Sequence, residues 1–294
     1  MDDLARTGAM HITVITGATA SGKSAEALKR ARDDRSIEIV NADAQLLYRG
    51  FDIGTAKPTP EERKEVPHHM IDVLEPAASY SAVEYSAAAR AAIREIIARG
   101  NTPIVVGGTG FYIDALFRGL MVSDISKKDQ IEARKQYAEE FEQLGFQTMH
   151  ERLRPIDPDL HRQIAREMNP IRLERAWTHY YATGVPLGEA RKAKRDAFEY
   201  EPTFVVLDLP REQLNDRITA RIDAMLAAGW LEEVRGLIEQ GIDRDAPAMR
   251  AIGYQELYDH LDGKRTIEEA REAMLVRTRQ YAKRQTTWLR NRQQ

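Results

Sequence analysis

The sequence predicts an α/β fold: a parallel sheet flanked by helices, interrupted by an all-helical insertion and completed by a helical C-terminal region. Three observations predict it. Short apolar runs alternate with helical periodicity through the first third of the chain, a glycine-rich turn lies between a strand signal and a helix signal, and strand signals then lapse from residue 123 to 201 before returning once.

Taken in order, residues 11–16 (HITVIT) read as a buried strand, residues 17–22 as a turn and residues 24–32 as a helix. Residues 36–40 form a second strand that ends in Asn41-Ala42-Asp43, and residues 70–73 a short third. An Ala-rich helix over residues 82–99 closes at Gly100, and residues 103–106 form a strand running into Gly107-Gly108-Thr109-Gly110. Short connections of this kind imply parallel pairing with right-handed crossovers, which gathers functional groups at the carboxyl ends of the strands. The lapse that follows is too long for a loop. Within it, residues 127–143, 147–154 and 170–183 carry helical spacing, with Gly145 and Gly184 as stops. Residues 203–209 (TFVVLDL) restore a strand, and residues 214–228, 230–239, 254–261 and 267–290 are helical. The expected plan is a core of residues 11–122 and 202–294 with a helical insertion over residues 123–201.

Composition narrows the class. The 294 residues are 43% hydrophobic and 30% charged, enough for a sizeable core and too apolar for wholesale disorder. The absence of Cys removes disulfides, thiolate zinc sites and a cysteine nucleophile together. No apolar run approaches the roughly 20 residues of a membrane span, and residues 1–10 lack an apolar leader region, so a cytoplasmic protein with a frayed N-terminal tail is expected. The net charge of −3 argues against indiscriminate coating of nucleic acid. A local basic stretch nonetheless stands out after residue 270: Arg271, Arg277, Arg279, Lys283, Arg284, Arg290 and Arg292 against the single acid Glu272. It reads either as a solvated helix face or as a nucleic-acid footprint.

The strongest motif is Gly17-Ala18-Thr19-Ala20-Ser21-Gly22-Lys23-Ser24, a G-x-x-x-x-G-K-[ST] phosphate loop in strand-to-helix context, which makes the predicted sheet P-loop NTPase-like. Backbone N–H groups of such a loop ring a polyanion, Lys23 adds a point charge and the Ser24 hydroxyl suits Mg2+. The loop alone says that a diphosphate or triphosphate binds. Hydrolysing relatives of the loop hold their metal with an acid at a core strand end, but residues 103–106 end in glycines, and Asp208 comes late and is followed by Leu209-Pro210. The acid best placed for chemistry is Asp43, on the same rim of the sheet as the loop. It reads either as a general base or orienter of a nucleophile, or as the cap of a helix starting near Ala44.

In this order, the segments Gly17 to Ser24, Asn41-Ala42-Asp43 with Tyr48-Arg49-Gly50, Asp52-Ile53-Gly54-Thr55-Ala56-Lys57-Pro58 and Pro67-His68-His69-Met70-Ile71-Asp72 resemble the bacterial tRNA dimethylallyltransferases, also called tRNA isopentenyltransferases. So do Tyr80-Ser81, Val106-Gly107-Gly108-Thr109-Gly110, Ala251-Ile252-Gly253-Tyr254, and Thr278-Arg279 with Ala282-Lys283-Arg284-Gln285 and Thr287-Trp288. The resemblance implies transfer of a dimethylallyl group from dimethylallyl diphosphate to N6 of the adenosine immediately 3′ of the anticodon in tRNA, with Mg2+ as cofactor. It implies that Gly17, Ala18, Thr19, Ala20, Ser21, Gly22, Lys23 and Ser24 hold the diphosphate. Asp43 and Thr109 would act on the flipped-out adenosine, with Arg217 and Arg221 near the diphosphate. Contacts to the anticodon stem-loop would come from Asp43, Ala44, Gln45, Leu46, Thr109, Asn169, Arg172, Arg250, Ile252, Gly253 and Tyr254. A monomer with no membrane partner is expected.

The sequence departs from the family pattern in three places. Ala18 stands where Pro is frequent, Asp43-Ala44-Gln45-Leu46 lacks a Ser hydroxyl common after the Asp, and Arg166-Glu167-Met168-Asn169-Pro170 keeps only part of a His-Pro-Asn-Asp signature. No zinc-finger extension follows Gln294, which points to the bacterial form. His68 and His69 do not read as a metal pair, because neighbours in an extended segment face opposite ways. Tyr281 and Trp288 share a helix face, read as core packing or base stacking. Arg191-Lys192-Ala193-Lys194-Arg195 is a solvated helix end or a backbone-phosphate contact. Two rivals remain at this point: an enzyme prenylating free AMP or ADP, and a P-loop kinase or nucleotide-gated RNA-binding module.

Overall fold

The computed structural model describes residues 10–120, 125–191 and 197–292. The expected N-terminal tail up to residue 9, the expected domain boundary at residues 122–123 and residues 192–195 of the basic cluster lie outside them. Strands β1 (His11–Gly17), β2 (Ile37–Asn41), β3 (His68–His69), β4 (Thr102–Val106) and β5 (Glu201–Leu207) form one parallel sheet in the order β3-β2-β4-β1-β5. Val14, Ile15, Val40 and Val105 are fully buried, as continuous apolar runs in a sheet covered on both faces must be.

Helices α1 (Lys23–Asp33), α2 (Pro60–Glu65), α3 (Ala82–Ala98) and α4 (Gly110–Arg118) belong to this part of the molecule. α1 buries Ala27, Leu28 and Ala31 against Ile15, Ile39, Ile104 and Val106 of the sheet. α3 begins at a reciprocal cap between Ser81 and Glu84, an arrangement that contributes about 1 kcal/mol, and buries Tyr85, Ala89, Ile93 and Ile96.

The third strand differs from expectation. It is His68–His69, and residues 70–73 are not extended, because Met70 (φ 61°) and Asp72 (φ 55°) are left-handed. Tertiary contacts explain this: Asn41 Nδ2 donates to the Met70 carbonyl at 2.9 Å, and the Asp72 carboxylate takes the ammonium of Lys57 (2.6 Å) and the guanidinium of Arg63 (2.5 Å). β5 also begins and ends earlier than the sequence suggests, leaving Asp208 exposed past its end.

The described residues of Leu120–Asp196 form a compact unit of their own. It contains α5 (Lys127–Leu153), α6 (Pro158–Glu167), α7 (Pro170–Thr183) and α8 (Leu187–Ala190), around Met149, Leu153, Ile164, Leu173 and Trp177. Gly145 (φ 70°) breaks α5 where the sequence places a stop. Asp157, buried, ties the unit together by accepting the N–H groups of Leu160 and Gly188.

The remaining residues add α9 (Arg211–Ala227), α10 (Trp230–Glu239), α11 (Tyr254–Leu261) and α12 (Ile267–Arg290) to the sheet unit. Their core is built on Trp230, which is 2% exposed and packs so closely on Gly54 and Gly253 that a Cβ at either would lie 2.0 Å from the indole. The Glu233 carboxylate accepts the N–H groups of Asp52 (3.0 Å) and Ile53 (2.7 Å) and the Tyr254 hydroxyl (2.7 Å). Lys57, its side chain 2% exposed, donates to the Tyr48 carbonyl and to Asp52 and Asp72. Residues 52–57 are thereby pinned from two sides. No helix among the described residues is long and apolar enough to cross a membrane. Trp230→Ala removes the indole that spans both glycines and should cost about 3–5 kcal/mol in urea denaturation; a loss below about 1 kcal/mol would contradict this packing.

Candidate active site

β1 leads directly into the phosphate loop, and α1 starts at Lys23. The loop turns tightly because Ala20 (φ 64°) and Gly22 (φ 101°) are left-handed, the second without steric cost. Lys23 Nζ donates to the carbonyls of Gly17 (3.1 Å) and Ala18 (2.8 Å). Burial pulls the Lys23 ammonium down to about 8; the facing Asp43 carboxylate opposes that shift and Arg221 adds to it. Burial likewise lowers Arg221, and Asp43 again opposes it.

Asp43 is held by its own backbone. Buried Asn41 accepts the Asp43 N–H and donates to the Asp43 carbonyl, both at 2.9 Å, while the Tyr85 hydroxyl donates to the Asn41 carbonyl at 2.8 Å. The Asp43 carboxylate accepts the Gln45 N–H at 3.0 Å, capping a short 3-10 helix over Ala44–Leu47. The capping reading of this residue is therefore correct, and it leaves the carboxylate lining two cavities. Thr109 stands beside it: its Oγ1 accepts the Ala44 N–H at 3.1 Å and its own N–H donates to the Ala42 carbonyl at 3.1 Å. Two strand ends, those of β2 and β4, are stitched together at this point.

A cavity of about 840 Å³ is lined by Lys23, Ser24, Asp43, Arg217 and Arg221 with apolar Ile53, Val106 and Met225. A second, of about 290 Å³, is lined by Asp43, Gln45, Thr109, Tyr281 and the guanidinium-bearing Arg250, Arg277 and Arg284. Asp43, Arg221, Thr19, Ala20, Thr55 and Met225 line both. The geometry can therefore place a polyanion on one side of a carboxylate and a planar group on the other.

Most of the expected residues gather here, but not all. Ala44, Arg250 and Ile252 line the smaller cavity and Leu46 the larger. Gly253 is covered by Trp230, and Tyr254 is fully buried with its hydroxyl on Glu233, so the Tyr254 side chain supports the wall and does not offer a tRNA contact. Asn169 caps α7 and Arg172 pairs with Glu167 in the separate helical unit. Sequence reasoning missed the role of Gln285, whose buried amide bonds Thr19 and Gly108; a polar residue on the stripe of Ala282 and Leu289 was the available signal. His68 and His69 engage the Val66 carbonyl and Glu38 separately. His150, Glu151 and His161 are the one metal-like cluster among the described residues. Their two rings stack at 4.1 Å and 13°, so the in-plane lone pairs run alongside each other and do not converge on an ion.

The position of Lys23 generates a proton signature. Its folded-state value of about 8 lies below the usual 10.5, so the group is charged at pH 7 and loses its proton as pH passes about 8. Binding of inorganic pyrophosphate should therefore draw in protons increasingly above about pH 8 and little at about pH 7. Calorimetry in buffers of different ionisation enthalpy measures this, and Lys23→Met should take up fewer protons than wild type above about pH 8; equal proton counts in both proteins would contradict it.

Comparison with known proteins identifies the family. The profile of the family described as IPP transferase matches residues 46–292. The protein is 45% identical over 279 residues to tRNA dimethylallyltransferase 1 of Pelobacter propionicus, a match that spans 95% of its own length and 89% of that relative. The structure of the full-length tRNA isopentenylpyrophosphate transferase from Bacillus halodurans aligns with a TM-score of 0.68 at 36% identity, over 96% of the present sequence and 87% of the other. A eukaryotic dimethylallyltransferase captured acting on tRNA aligns with a TM-score of 0.77 at 29% identity, over 95% of the present sequence and 70% of the other. With a phosphate loop, a clamped Asp43 and a family profile that spans all but the first segment of the sequence, the protein belongs to the IPP transferase family.

Proposed function

We propose that this protein transfers a dimethylallyl group from dimethylallyl diphosphate to N6 of the adenosine immediately 3′ of the anticodon in tRNA, releasing diphosphate. The observation that carries the reading is the placement of Asp43 and Arg221 in the wall common to the two cavities. The diphosphate occupies the phosphate loop in the larger cavity, with Lys23, Arg217 and Arg221 around it. The adenine enters the smaller one past Thr109.

In the reaction the N6 nitrogen bonds to the allylic carbon while that carbon's bond to the diphosphate oxygen breaks, the electron pair leaving with the diphosphate. The N6 proton passes to Asp43. Cations aimed at the leaving oxygen supply most of the rate, because they meet charge that develops only as the bond breaks. Ile53, Leu46, Val106 and Met225 give the larger cavity an apolar lining that keeps water from an allylic centre with cationic character. The donor set fits Mg2+: Ser24 lines the cavity beside Lys23, whereas Asp52 and Asp72 are committed to Lys57, so Ser24 and the diphosphate's own oxygens would hold the ion. Bound there, Mg2+ would add positive charge to the leaving group.

Flipping a base out of its loop costs a few kcal/mol, which contacts to the anticodon stem-loop offset. Exposed Arg279, Lys283, Arg284 and Arg290 of α12 are suited to phosphate, and the helical unit with Asn169 and Arg172 is proposed to add further contacts. A cytoplasmic, monomeric enzyme is consistent with this reading. Undermodified tRNA incubated with the protein and dimethylallyl diphosphate should yield an adenosine heavier by C5H8 on nucleoside mass spectrometry, and no such product would refute the proposal. Asp43→Ala should keep the circular dichroism spectrum and lose about 100-fold or more in kcat; wild-type turnover would remove Asp43 from the mechanism.

A further inference from the structure

Gln285 is 6% exposed and lies on the apolar stripe of α12, between Ala282 and Leu289. Both ends of its amide are used. Oε1 accepts the Thr19 N–H of the phosphate loop at 2.7 Å, and Nε2 donates to the Gly108 carbonyl at 2.9 Å. These partners fix which way the amide faces, since a backbone N–H only donates and a backbone carbonyl only accepts. One side chain thus bridges the loop after β1 and the glycine turn after β4.

The placement bears on chemistry. Thr19 enters the turn that Ala20 and Gly22 complete, and its N–H is committed to Gln285, so the bond sets the direction in which the later loop amides leave. Gly108 adjoins Thr109 at the mouth of the smaller cavity. Fit is close: a Cβ on Gly108 would lie 2.1 Å from Gln285 Nε2. A side chain needed only to fill the stripe would be apolar, because a buried amide without both partners is costly.

We propose that Gln285 is a positioning residue for the diphosphate, hanging the phosphate loop on α12 so that its grip on the leaving group depends on the docking of that helix. The inference rests on the reading that the loop takes a diphosphate.

Gln285→Leu keeps the volume and removes both bonds. Gly108→Ala, at a position that does not require the left-handed region, displaces the same amide by a separate route. For wild type, both variants and the double variant, the measurements are thermal melting, inorganic pyrophosphate binding by calorimetry, and KM for each substrate. Each single variant should weaken pyrophosphate binding and raise KM for dimethylallyl diphosphate about tenfold, the order of one lost buried hydrogen bond. KM for tRNA should stay within about threefold, and the double variant should be no worse than either single. A lowered melting temperature with unchanged pyrophosphate affinity, an effect on tRNA KM alone, or additive losses would overturn the proposal. Should the Leu variant fail to fold, Gly108→Ala decides by the same readings. Wild-type protein that binds no pyrophosphate would instead overturn the reading of the loop itself.

Discussion

The site depends on a charge balance: the Asp43 carboxylate faces the Lys23 ammonium and the Arg221 guanidinium at the junction of two cavities. Burial lowers both cations, and Asp43 opposes the shift in each. The proposed diphosphate would add negative charge to the same place and strengthen the hold on both cations. Much of the surrounding structure serves this placement. Asn41 clamps the Asp43 backbone, Thr109 holds the next N–H, and Glu233 with Lys57 fixes the segment whose Thr55 lines both cavities.

The C-terminal helices complete the site from outside the sheet. The basic stretch that the sequence displays as a block divides in three dimensions. Arg271, Arg277 and Arg292 pair with Asp223, Glu256 and Asp114, while Arg279, Lys283, Arg284 and Arg290 remain exposed. Three cations of α12 and the residues just after it therefore pair with neighbouring elements, and the exposed ones give an overall acidic protein a local surface suited to phosphate. The same helix reaches inward through Tyr281, Gln285 and Trp288, the last donating its indole N–H to Asp114 at 2.9 Å. A helix joining an exposed basic face to a buried face at the strand ends explains why its motif residues are mixed polar, basic and aromatic.

Local signals were legible in the sequence wherever local physics decides. The phosphate loop, and the helices from Trp230, Tyr254 and Ile267, fall at the bounds that periodicity and glycine stops indicate. Asp43 was legible as a cap, which it is, and its carboxylate also lines both cavities. Where partners are distant in sequence the reading failed. Residues 70–73 have strand-like composition, but Asn41, Lys57 and Arg63 bend them, and no window around residue 70 contains those three. Tyr254 sits in a motif that suggests a surface contact, yet its hydroxyl is held by Glu233 in the core. Gln285 was visible as a polar residue on an apolar stripe, but its partner Thr19 is 266 positions away.

Asp43 lines both cavities, and the proposed mechanism turns on that placement. A crystal structure with an anticodon stem-loop and an unreactive thio analogue of dimethylallyl diphosphate measures it most directly. The diphosphate should sit on Lys23 in the larger cavity, and the adenine N6 should lie within about 3.2 Å of Asp43 through the smaller one. A diphosphate bound away from the loop, or a base entering with Asp43 out of reach of N6, would contradict it.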